Sequence, residues 1–167
     1  CVVRAADGAP VEAGRVEKMS KSKMNVIDPG RIIGEYGADT ARIFILFASP
    51  PERDLEWSDQ GIEGAHRFLN RVWKTVRAVI EKKETGKTDA AVADEILRLT
   101  HKTIKRVTLD IEPRMHFNTA VSALMEFVNG LNQYMQADGG DPAAYPTLKF
   151  AADHLLILLC PFAPHIA

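Results

Sequence analysis

Five consecutive residues, Lys18-Met19-Ser20-Lys21-Ser22, hold two ammonium groups and two hydroxyls, and Lys23 and Asn25 follow directly. Such a set suits phosphate chemistry. Lysine places a compact positive charge on a long stem, serine adds short donors, and backbone amides supply more. The stretch has neither a helical nor a strand period, so it reads as a loop. A flexible, doubly cationic loop fits a group that exists only transiently, such as a phosphate chain being displaced. The competing reading is a solvated surface loop.

The loop must be positioned by its neighbours. Val2-Val3 and Val11 to Val16 read as the strands of a short hairpin with Asp7-Gly8 at its turn. Two short strands are marginal alone, so this hairpin is expected to pack on a sheet outside the chain. Asp28-Pro29 is a helix-start pair, with Asp as cap and Pro at the first helical position. Ile32 and Ile33 give that helix its apolar side, and Gly37 ends it. A second helix is expected with Asp39 as its cap and a nearly continuous apolar run, Ala41 and Ile43 to Phe47, buried on most sides. Pro50-Pro51 stops it. Asn25 and Asp39 are candidates for fixing backbone, but ordinary capping is the expected role of both. Arg42, among apolar neighbours, needs either a salt bridge or an RNA contact.

Ser58 opens a long helix whose apolar face is Phe68, Leu69, Val72, Trp73, Val76, Val79 and Ile80. Trp57 and Trp73 are expected in the core. Arg67, Arg71, Lys74 and Arg77 form a basic stripe beside that face. After a polar linker, Glu84 to Asp89, a helix from Ala90 to Glu112 carries His101, Lys102, Lys105 and Arg106 in its middle. Each cluster is either an RNA-backbone contact or a solvated face. Asn118 or Thr119 caps the next helix, and His116 is expected to be hydrogen-bonded and partly buried. Beyond a Gly/Asp/Pro loop, Ala137 to Pro146, the last helix contains Leu155 to Cys160. That run is apolar on every side and is expected at the centre of a bundle.

Composition narrows the classes. The 167 residues are 46% apolar and 26% charged, with a formal net charge of -1, so nucleic-acid contact must come from local basic faces. Two cysteines make neither a disulfide framework nor a metal site, which fits a reducing cytosol. No apolar run is long enough to span a bilayer. The expected architecture is mainly α: an antiparallel helical bundle preceded by the hairpin, the loop and two short helices.

The order of the five residues carries a resemblance. Lys-Met-Ser-Lys-Ser is the second signature of the class I aminoacyl-tRNA synthetases. The context KMSKSKMN (Lys18 to Asn25), the block from Gly37 to Trp73, RMHFNTAVSALMEFVN (Arg114 to Asn129) and PFAPHIA (Pro161 to Ala167) resemble the leucyl members. The resemblance covers about Val11 onward. It implies an enzyme that activates leucine with ATP and Mg²⁺ and transfers it to tRNA(Leu) in the cytoplasm. It implies that Lys21 is the main phosphate contact, with Lys18, Ser20 and Ser22 supporting and Met19 anchoring the loop by packing. It assigns residues 1–57 to the edge of the catalytic domain and 58–167 to a bundle of the anticodon-binding type. The alternatives are another class I synthetase (isoleucyl, valyl or methionyl), a non-catalytic tRNA-binding module, or a stabilising scaffold. The chain begins with Cys and contains no His-x-Gly-His, so it is expected to be part of something longer and inactive alone, with any self-association an artefact of truncation.

Overall fold

The computed structural model describes residues 2–3, 10–11, 17–81, 90–137 and 145–167. Strands β1 (Val2–Val3) and β2 (Pro10–Val11) pair antiparallel, with Val2 opposite Val11. The rest of the expected hairpin, including the Asp7-Gly8 turn and most of Val11 to Val16, lies outside the described residues. So do the linker at 84–89 and most of the loop at 137–146.

The described residues form six α-helices: α1 (Pro29–Tyr36), α2 (Ala38–Ala48), α3 (Asp59–Glu81), α4 (Ala90–Ile111), α5 (Phe117–Ala137) and α6 (Tyr145–Leu159). Their ends follow local chemistry. Asp28 caps α1 by accepting the Gly30 N–H at 2.9 Å, and Pro29 occupies the first turn. Gly37, at φ 86°, ends α1 in a conformation that favours glycine. Ser58 Oγ accepts the Gly61 N–H at 3.1 Å at the start of α3. The cap of α5 falls two to three residues earlier than expected. The His116 carbonyl accepts the Ala120 N–H and the Thr119 hydroxyl, and the His116 side chain is exposed.

Helix α5 is central. It packs against α2, α3, α4 and α6, while α1 packs on α2 and α6 also meets α3 and α4. One hydrophobic cluster runs through all six helices, from Ile32 to Ala163. Close approaches set the spacing. A Cβ at Gly130 would stand 2.6 Å from Leu99, and one at Gly61 would stand 2.7 Å from the Phe44 ring. Phe44 also meets Trp57 edge-on at 5.3 Å, which places Trp57 against the core as expected.

Several apolar positions expected inside are outside. Trp73 and Ile80 are exposed at the margin of α3, and Ile33, Ile45 and Phe47 are exposed on α1 and α2. In the last helix Leu155 and Leu159 are fully buried, whereas Ile157 is 65% exposed. The cause is geometric. Each helix is covered only along the arc its neighbours reach, so residues on the far side face water even when apolar.

Asp39 is not a cap. It lies inside the first turn of α2, buried, and its carboxylate accepts N–H bonds from His165 (3.0 Å) and Ile166 (2.8 Å) and meets His165 Nδ1 at 2.8 Å. One turn on, Arg42 donates to the carbonyls of Phe162 (3.0 Å) and Pro161 (2.9 Å). The arginine partner is therefore backbone rather than a carboxylate. Together the two side chains clamp the segment after α6 onto α2. Asp39→Ala should lower the unfolding free energy by about 1–3 kcal/mol, because backbone donors near the core lose their acceptor. Denaturant titration of both proteins measures it, and an unchanged midpoint would show that the clamp contributes nothing.

Candidate functional site

The loop is more ordered than its sequence suggests. Ser20 is extended, then Lys21–Lys23 make a single 3₁₀ turn that Met24 ends in the left-handed region at φ 54°. The Lys23 and Met24 amides close this turn on the carbonyls of Ser20 and Lys21, each at 3.1 Å. Asn25 then folds back. Its Oδ1 accepts the Ser20 N–H at 2.8 Å, and its Nδ2 reaches the Lys18 carbonyl at 3.5 Å. Asn25 thus fixes loop backbone across the five-residue signature, rather than serving as an ordinary cap.

The charges divide. Lys23 Nζ pairs with Glu17 at 2.7 Å. Lys18 and Lys21 are exposed, and their ammonium groups make no hydrogen bond or ion pair among the described residues. Ser20 and Ser22 face each other at 3.2 Å between their hydroxyl oxygens. Met19 is partly exposed and lines a cleft of about 680 Å³ with Ile45, Leu55 and Trp57, where Glu17, Asp54 and Glu56 also lie. The loop therefore offers two uncommitted cations and two hydroxyls on a short, internally bonded turn. That donor set matches phosphate oxygens. It does not match a divalent cation, which takes oxygen ligands such as carboxylates. Among the described residues no group of three His, Cys, Asp or Glu could hold a metal.

The basic stripes are less uniform than their spacing implies. On α3, Arg67 pairs with Glu63 at 3.5 Å and Arg77 with Glu81 at 2.6 Å, both exposed. The hydrogen bond to Glu81 raises the Arg77 pKa above its ordinary value. Arg71 donates instead to Asn129 Oδ1 at 2.6 Å, across to α5, and Lys74 is exposed. Arg71 and Lys74 line a cleft of about 450 Å³ with Asn129, Asn132, Gln133 and Gln136. On α4, Arg106 pairs with Glu126 of α5 at 2.6 Å. Lys102 and Lys105 are exposed, and the His101 ring lies 5.8 Å from Phe150. The loop and the stripes do not converge on one pocket. The amides of α5 were not singled out from sequence. Their signal is a run of Asn and Gln at 129, 132, 133 and 136, which marks one side of a helix.

Comparison with known proteins gives the frame for these features. Residues 9–58 match the family described as tRNA synthetases class I (I, L, M and V), and residues 93–167 match the anticodon-binding domain of tRNA ligase. Leucine–tRNA ligase from Geotalea daltonii is 53% identical over 155 residues, covering 90% of this chain and 19% of that protein. The corresponding protein of Desulfatibacillum aliphaticivorans is 47% identical over 168 residues, covering 95% and 19%. A solved ternary complex of Agrobacterium radiobacter K84 agnB2 LeuRS with tRNA and LeuAMS superposes with a TM-score of 0.74 at 32% identity, over 89% of this chain and 19% of that one. The chain thus spans about a fifth of the length of these relatives. No described helix is long and apolar enough to cross a membrane. With the intact loop signature followed by the helical bundle, the chain belongs to the leucyl-tRNA synthetase family, of which it carries the end of the class I catalytic part and the anticodon-binding domain.

Proposed function

We propose that this chain serves a cytoplasmic leucine–tRNA ligase, which activates leucine with ATP and transfers it to tRNA(Leu). The loop carries the proposal, since neither RNA binding nor scaffolding alone needs Lys18 to Ser22 in that order. As the leucine carboxylate attacks the α-phosphorus, the bond to pyrophosphate breaks and charge grows on the departing group. Lys21 meets that charge, and Lys18, Ser20 and Ser22 bind in support. A cation held in place before the reaction stabilises the transition state without reorganising during it. Met19 seats the loop through its cleft with Ile45 and Leu55. Mg²⁺ in this scheme is carried by the nucleotide phosphates, since the loop offers it no ligand set.

Residues 1–57 act as the edge of the catalytic domain, with the hairpin seated on its sheet, and residues 58–167 act as the tRNA-binding bundle. The end of the first family match at residue 58 supports that boundary. Arg67, Arg71, Lys74 and Arg77 on α3, and Lys102, Lys105 and Arg106 on α4, face the tRNA backbone. The family match of residues 93–167 to an anticodon-binding domain supports the α4 part of this assignment.

In the full-length enzyme, Lys21→Ala should lower kcat for leucine-dependent pyrophosphate exchange by about 10²- to 10³-fold, with a smaller change in ATP affinity. Lys18→Ala should cost less. A kcat within about twofold of the parent would remove Lys21 from this role.

Asn25→Ala should also slow exchange, by about tenfold, because loop placement is lost while the ammonium groups remain. An Asn25→Ala enzyme with unchanged kcat would show that ATP alone shapes the loop. The isolated chain, which contains no His-x-Gly-His, should give no exchange above a protein-free control.

A further inference from the structure

The cleft between α3 and α5 differs from the rest of the basic surface. Its lining holds two cations and four primary amides, and no carboxylate and no large apolar side chain. The remaining cations of α3 face their own glutamates, and Arg106 faces Glu126. A peptide would find no apolar anchor here.

The hydrogen-bonding capacity of the cleft is specific. Asn129 spends its Oδ1 on Arg71, which leaves its two Nδ2 donors uncommitted. Asn132 does the opposite. Its Nδ2 donates to Thr75 Oγ1 (2.9 Å) and to the Val128 carbonyl (2.8 Å), which leaves Oδ1 as an uncommitted acceptor. Gln133 and Gln136 are exposed, with both ends of their amides available. Phosphate alone would use only the donors. A ligand that also satisfies the acceptors must bear an anion beside a group that both donates and accepts. The ribose–phosphate backbone of RNA has that pairing in its phosphate and its 2′-hydroxyl, and deoxyribose lacks the second part.

We infer that the α3–α5 cleft holds the ribose–phosphate backbone of tRNA and distinguishes ribose from deoxyribose. Arg71 and Lys74 take the phosphates, while Asn129, Asn132 and Gln133 meet 2′-hydroxyls. The inference rests on the tRNA-binding reading above and adds the chemical group that is read.

The test uses the full-length enzyme with two probes, a tRNA(Leu) transcript and its all-2′-deoxy counterpart, titrated across a salt series. Asn129→Ala/Gln133→Ala should narrow the preference for ribose by about 5- to 150-fold, the range for two neutral hydrogen bonds, and leave the salt dependence unchanged. Lys74→Gln should weaken both probes alike and reduce the slope of log affinity against log salt by about one. Gln133→Ala alone, on an exposed side chain, should narrow the preference by a smaller factor, and it serves as the second variant if the double variant melts early. An unchanged ribose preference in these folded amide variants would overturn ribose recognition at the cleft. An unchanged salt slope in Lys74→Gln would overturn its phosphate contact. A parent enzyme that binds neither probe would instead overturn the tRNA-binding reading itself.

Discussion

The buried face of α5 is the constraint on which the remaining structure depends. Val121, Leu124, Phe127, Val128 and Leu131 have no exposed surface at all. A helix loses all exposure at five positions only where neighbours stand on several sides, and α2, α3, α4 and α6 supply them. Burial of each such side chain is worth about 1.5–3 kcal/mol, so this helix outweighs any surface ion pair in the molecule. Three threonines that enter the core are satisfied locally. The Thr75, Thr100 and Thr103 hydroxyls each donate to the carbonyl four residues earlier, so they cost little inside a dry bundle.

Between the loop and this bundle stand α1 and α2. The loop is bonded to itself through Asn25, α1 begins four residues after Asn25, and α1 packs on α2. Helix α2 in turn meets α3 and α5, and Gly61 lets the start of α3 ride directly on the Phe44 ring. The chemistry-bearing loop is therefore tied to the bundle by packed helices rather than by a tether. Its lysines remain outside, exposed to solvent.

The helices were legible from their periods, and their starts from Asp28-Pro29 and Ser58, because those signals act within one turn. The five-residue signature was legible because order within a loop does not depend on the fold around it. The width of each buried arc was not legible. Trp73, Ile45 and Ile157 satisfy an apolar period, yet they lie where no neighbouring helix arrives. The role of Asp39 was hidden for a related reason. A carboxylate in a first turn looks like a cap, and its real partners are more than a hundred residues away. The α3–α5 cleft was hidden because uncharged amides give no signal until a second helix brings cations beside them.

The clamp on α2 also bears on how the chain reaches its native state. Asp39 and Arg42 bond residues 161–166, so the ends of the described helical region are joined across nearly its whole length. Contacts of such long sequence separation carry a large loop-closure entropy until the intervening helices have condensed. The α4–α5 pair, joined by a short turn at 112–116, closes a far smaller loop. On loop-closure entropy alone, assembly is expected to proceed outward from that hairpin, with the clamp closing last. In that order the loop-bearing end of the chain gains its fixed position only once the bundle beneath it is complete.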